Sequence, residues 1–326
     1  MDLRIRSIAV MLGMVISCHS FAQDAAQSPV FETPLRIVSM FPTGTGPDVV
    51  VRLLAEKLQQ KWQRPVVVDA RPGASGVLAI NATKSLPPER IDLVLADSGS
   101  LVVNPLIFKN LSYDPQKDLV PVSALYKGVF FVTVGAAGPY KTMKDLTDAA
   151  KQKSLSFASN GIGSPQHLYS EQLVHGLRAD MLHVPFKEGS QLYAAISSGE
   201  VDWVLSTLGG AGPLLRSGKL RFLSVMDKER VTAAADIPTL EEAGGPAELY
   251  SNAWVALMAP AGLPDGMIEV INREVNEALQ HSDIKERLAI LGFEPTPGSP
   301  KQVETLMREA RRTYQQVVER LHITAD

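Results

Sequence analysis

Short runs of apolar, β-branched residues bounded by glycine and proline recur along this chain, separated by segments of helix length. That alternation restricts it to an α/β architecture in which sheets are covered by helices. Strands are expected at residues 37–41, 65–68 and 91–95, with helices at 47–62 and 75–85 between them. The first helix shows its construction. Val50, Leu53, Leu54 and Leu58 fall on one stripe, Pro47 presets the first turn, and Lys57 and Lys61 sit near the negative end of the helix dipole. The stretch 119–134 is too extended for one ordinary strand and reads as a crossing into a second domain. There the alternation starts again, with helices at 143–151, 165–175 and 191–198 and strands at 155–158, 182–185, 201–205 and 221–225. A return strand at 252–258 and helices at 265–280, 283–291 and 300–321 finish the first domain. With 326 residues, 45% of them hydrophobic, the chain can bury two such cores. The expected fold is two lobes of mostly parallel sheet flanked by helices, joined by two hinge strands. Residues 23–127 and 251–326 form lobe 1 and residues 128–250 form lobe 2.

The first 22 residues carry a different signal. Arg4 and Arg6 precede an apolar run over 8–16 and a small-residue stretch over 17–22, the order of a secretory signal cleaved after Ala22. That run is too short to span a bilayer. Val15-Ile16-Ser17-Cys18 also resembles a bacterial lipoprotein signal, in which Cys18 becomes the lipidated first residue. Cys18 is the one cysteine, so no disulfide framework exists, and a net charge of −3 leaves no basic surface for nucleic acid.

Two strand-to-helix turns stand out in the mature chain. The first is Thr43-Gly44-Thr45-Gly46-Pro47-Asp48 and the second Ser159-Asn160-Gly161-Ile162-Gly163-Ser164-Pro165. A helix start offers unpaired backbone N–H groups and about half a positive charge, which suits a carboxylate. Two such turns facing each other across a cleft would clamp one acid, so the pattern points to a receptor. Asp48 reads as compensation of the helix dipole, His167 as a packing or capping histidine, and Arg308, Arg311 and Arg312 as a solvated helix face. Enzyme signatures are weak. Gly44-Thr45-Gly46 lacks the third glycine of a dinucleotide loop, there is no P-loop and no G-x-S-x-G, and His175, His183, His281 and His322 have no metal-ligand spacing. A secreted hydrolase, with a histidine meeting a serine only in space, is the alternative class. No metal or cofactor is implied.

Several segments in order resemble the extracytoplasmic receptors of tripartite tricarboxylate transporters, the Bordetella uptake gene family. They are Phe41-Pro42-Thr43-Gly44-Thr45-Gly46-Pro47-Asp48 with Arg52, Arg71-Pro72-Gly73-Ala74-Ser75-Gly76, Asn104-Pro105, Gly161-Ile162-Gly163-Ser164 with His167, His183-Val184-Pro185-Phe186-Lys187, Asp236-Ile237-Pro238-Thr239 and Ala259-Pro260-Ala261-Gly262-Leu263-Pro264. The resemblance implies a two-lobed periplasmic binding protein, a monomer, that closes on a small organic carboxylate. It would deliver the ligand to integral-membrane permease subunits, or signal to a membrane sensor protein. Carried over residue by residue, it makes Thr43, Gly44, Thr45 and Gly46 the first cradle and Ser159, Asn160, Gly161, Gly163 and Ser164 the second, with Thr45 and Ser164 expected to touch the ligand. Ser98, just past a strand of lobe 1, is expected to add a hydroxyl from the same sheet edge. The chain departs from the family pattern at Pro47, which has no N–H, and at Leu205-Ser206-Thr207, where many members carry an aspartate and an asparagine. Ser206 is counted with the ligand-facing residues, and loss of the carboxylate there favours a non-amino acid, dicarboxylic, tricarboxylic or aromatic.

Overall fold

The structure, a computed structural model, describes residues 34–84, 91–251 and 253–324. The expected secretory signal over residues 1–22, with Cys18, lies outside them. In chain order the elements of lobe 1 begin with β1 (Leu35–Ser39), α1 (Gly46–Trp62), β2 (Val66–Ala70), α2 (Val77–Lys84) and β3 (Asp92–Asp97). A π-type turn (Gly99–Val103) runs into the short α3 (Asn104–Ile107), and β4 (Leu119–Gly128) follows. The chain then enters lobe 2 through β5 (Phe131–Gly135), α4 (Met143–Gln152), β6 (Leu155–Ser159), α5 (Pro165–Gly176), β7 (Met181–Pro185), α6 (Gly189–Ser198), β8 (Trp203–Ser206), α7 (Leu208–Arg216) and β9 (Leu220–Val225). It returns through β10 (Ala253–Pro260), and α8 (Asp265–Ala278), α9 (Ser282–Leu291), β11 (Phe293–Pro295) and α10 (Pro300–Leu321) end it.

Six strands in the order β11-β4-β10-β3-β1-β2 make one sheet and five in the order β7-β6-β8-β5-β9 the other. The expectation of mostly parallel sheets is corrected here to mixed ones. β1 pairs in parallel with β2 and β3, and β6 with β7 and β8, whereas β4, β5, β9, β10 and β11 pair antiparallel. The reason is the crossing itself. A strand that leaves a lobe and the strand that returns to it lie side by side in opposite senses, as β4 and β10 do from Leu119↔Pro260 to Ala253↔Gly128. The long extended segment breaks at Val129 and Phe130, where its two halves join different sheets.

Local sequence explains most element ends. α1 buries Val50, Val51, Leu54 and Leu58 against the sheet and stops at Gln63, which adopts the left-handed conformation at φ 52°. α4 carries a capping box between Thr142 and Asp145. Gly209, Gly210 and Pro213 disfavour helix, so the sequence pattern does not predict α7. It forms because the Thr207 hydroxyl accepts the Gly210 N–H and because Ala211 and Gly212 are buried. One apolar cluster ties the lobes together, since Val94 and Trp254 of lobe 1 share it with Phe157 and Trp203 of lobe 2 and with Tyr314 of α10.

Candidate functional site

Both glycine-rich loops sit at the carboxyl ends of parallel strands, the first after β1 and the second after β6, the edge at which open α/β sheets bind ligands. Groups beside them meet across the lobe boundary. A methyl group added to Gly99, just past β3, would lie 2.9 Å from the Pro165 ring, and one on Gly163 would strike Ile107 of α3. A methyl group on Gly209 of α7 would likewise lie 3.0 Å from Leu291, and within lobe 1 one on Gly46 would lie 3.2 Å from the Phe293 ring. The tips differ from this packed surround. Gly44, at φ +83°, and Gly161, at φ +108°, have nothing within 4 Å of the position a side chain would take.

The first loop is tied to its own helix by Asp48. This carboxylate is buried, accepts the Gly44 N–H at 2.9 Å through Oδ2 and receives Arg52 Nε at 2.9 Å on the same oxygen. Arg52 thus cancels a charge that would otherwise repel an acid in the cradle. The Thr45 hydroxyl donates to Pro42 O at 2.7 Å, so it can still accept but not donate. Among the described residues the amides of Thr43, Gly46 and Asp48 have no intramolecular acceptor, which leaves three donors at this helix start. Asp97, at the end of β3, accepts the Ser100 N–H at 2.8 Å, and burial raises its pKa.

The second loop is held by Gln166, His167 and His183, which the sequence alone does not mark as site residues. Asn160 N–H donates to Gln166 Oε1 at 2.7 Å, and Gln166 in turn donates to Leu205 O. Gly163 N–H donates to His167 Nδ1 at 3.1 Å, which places the proton of a neutral His167 on Nε2, 3.4 Å from Glu171 Oε1. Gly161 N–H donates to Ser159 Oγ at 3.2 Å, and that hydroxyl lies 2.7 Å from His183 Nε2. The rings of His167 and His183 stack at 4.0 Å between centroids, with Phe157 stacked on His183. Burial, and then the neighbouring His167, pull the His183 pKa down to about 4. The signal for this scaffold lay in the sequence as the pair of histidines following the loop and β6. Nothing in their spacing said they would stack.

These bonds correct parts of the expected site. The amides of Asn160, Gly161, Gly163 and Ser164 are spent inside the loop, and among the described residues Ile162 and Gln166 retain free N–H groups. Ser98 does not offer its hydroxyl to the cleft, because it is fully buried and pairs with Tyr314 OH at 3.3 Å. Ser159 is equally buried. Ser206, the last residue of β8, is buried too and bonds Thr133 Oγ1 at 2.6 Å, since a buried hydroxyl must find a polar partner inside the protein. Ser164 is the N-cap of α5, accepting His167 N–H at 3.1 Å and donating to Gly161 O at 2.9 Å. Thr43, Gly44, Thr45 and Gly46 together, and Asn160, Gly161 and Ser164 in the second loop, remain at least partly exposed. No group of three or more His, Cys, Asp or Glu among the described residues could hold a metal ion. No helix among them is long and apolar enough to cross a membrane.

Comparison with known proteins gives this geometry a family. Residues 50–323 match the tripartite tricarboxylate transporter family receptor. Protein BugT of Bordetella pertussis is 29% identical over 316 residues, covering 95% of this chain and 96% of its own. Among solved structures, Rpa4515 of R. palustris with adipate superposes with a TM-score of 0.82 at 25% identity, covering 90% of this chain and 98% of that one. MatC of Rhodopseudomonas palustris with bound malate gives 0.77 at 27%, covering 89% and 99%. A two-lobed α/β architecture and a family match over residues 50–323 make this chain a member of the tripartite tricarboxylate transporter receptor family.

Proposed function

We propose that the mature protein works in the periplasm as a monomeric receptor, captures a small organic carboxylate between its lobes, closes on it and delivers it to the membrane subunits of a tripartite transporter. The observation that carries this reading is the pair of loops with open tips at Gly44 and Gly161, each at the start of a helix at a carboxyl sheet edge. The ligand is held by the remaining donors. In lobe 1 these are the amides of Thr43, Gly46 and Asp48, and in lobe 2 those of Ile162 and Gln166, with the rest of both loops shaping the cradle. Charge-assisted hydrogen bonds contribute about 1.5–3 kcal/mol each, so four of them reach the roughly −8 kcal/mol of micromolar binding before the cost of closure. Closure pivots where the chain changes sheets, between β4 and β5 and between β9 and β10. That similar structures hold adipate and malate supports an acid of four to six carbons with two carboxylates. Catalysis is not part of the proposal, since Ser159, the one serine bonded to a histidine ring nitrogen among the described residues, is fully buried and also bonded to Gly161.

Titration calorimetry with adipate, malate, citrate and benzoate tests the reading, with small-angle scattering of each complex. Micromolar binding of one acid, accompanied by a smaller radius of gyration, is expected. Failure of every acid to bind, or turnover of a generic ester that stops on changing Ser159, overturns it.

A further inference from the structure

A cavity of about 730 Å³ opens on lobe 1 between α10 and the segment that joins β3 to β4, and none of its lining residues belongs to either glycine-rich loop. That volume falls in the range of small-molecule sites, about 300–1,000 Å³. Its floor is apolar, with Leu101, Val102 and Met258 buried and Phe108 and Met307 half-buried. Its rim is not. Arg308 and Arg311 stand one helical turn apart on α10 and both line the opening. Arg308 donates to Thr305 Oγ1 at 3.1 Å, and neither guanidinium has a carboxylate within ion-pair distance among the described residues. Glu304 shares the rim four residues before Arg308, the spacing at which such pairs usually form on a helix, yet the pair is absent. The acid on the opposite rim, Asp114, is already matched by Lys117 at 2.9 Å, and that contact lowers its pKa. An apolar slot under two unmatched guanidinium forks fits one chemistry.

We infer that this cavity is a second ligand site, for an amphipathic monocarboxylate whose alkyl or aryl body lies against Val102, Met258 and Met307 and whose carboxylate meets Arg308 and Arg311. It is separate from the interlobe site and does not depend on it.

Methyl-labelled methionine resonances test this in the intact mature protein, because Met258 and Met307 report the cavity while Met40, which packs beside Gly76 and Ser100 at the end of β1, reports the first loop's edge. Octanoate is the probe, with octanol as the neutral analogue and acetate as the headgroup alone. Octanoate is expected to shift Met258 and Met307 saturably, at least tenfold more tightly than octanol, with acetate silent at both. The double variant Arg308→Ala/Arg311→Ala, changed at exposed positions, is expected to lose at least tenfold in octanoate affinity and leave octanol unchanged. Shifts confined to Met40, equal affinity for octanoate and octanol, or an unaltered double variant would each overturn the inference while leaving the interlobe proposal standing.

Discussion

Acid should destabilise this protein through His183 before the carboxylates of the surface are protonated, and the structure sets the size of the effect. An unfolded imidazole takes up its proton near pH 6.5, whereas in the folded chain burial and the stacked His167 hold the His183 pKa at about 4. The folded state therefore resists a proton that the unfolded state accepts. The stabilisation is complete above pH 6.5, falls as pH drops from there to about 4, and is flat below. At about 1.4 kcal/mol per pH unit the full interval is worth about 3 kcal/mol. His183 is only half-buried, so solvent screening reduces this to about 1–2 kcal/mol. Urea unfolding of the wild type and of His183→Gln at pH 7.5, 5.5 and 4 isolates it, because every other titrating group is common to both proteins. The wild type should lose about 1–2 kcal/mol more than the variant between the two ends of the series. Parallel stability curves would show that the histidine is solvated and that the stacked pair does not hold the second loop.

Further outcomes follow from the loops. Gly163→Ala should cost about 3 kcal/mol in thermal unfolding, since it combines a strained φ of +78° with a collision against Ile107, and adding Ile107→Ala should recover part of the loss. Gly161→Ala, at φ +108° with open space around it, should cost only about 1 kcal/mol while weakening carboxylate binding measured by calorimetry. Ser164→Ala should remove about 1 kcal/mol of stability through the lost cap of α5, whereas Thr45→Val should stay near wild type in chemical unfolding. Tyr314→Phe should cost about 1–3 kcal/mol by the same measurement, because it strands the buried Ser98 hydroxyl.

The sheet-and-helix alternation and the two glycine-rich strand-to-helix loops were legible in the sequence because each rests on local chemistry. Val50, Leu54 and Leu58 announce a helix face, and Gly44 and Gly161 announce turns that other residues make only under strain. Strand direction was not legible, because nothing within β4 or β10 encodes that they run antiparallel to one another. The inward bonds of Ser98, Ser159 and Ser206 were hidden for a related reason. A serine at a strand end looks the same in sequence whether it faces a cleft or a tyrosine hydroxyl 216 residues away, as Ser98 does. The same holds for His167 and His183, whose stacking needs β7 laid beside β6 with Phe157 beneath.

Tyr314 connects Ser98 at 3.3 Å with Tyr169 at 3.1 Å, so α10 fastens one hydroxyl chain to both lobes inside a shared apolar cluster. Two halves stapled in this way have no independent melting points. Heat should release them in a single calorimetric peak, and a bound acid that bridges the halves should move that whole peak upward without splitting it.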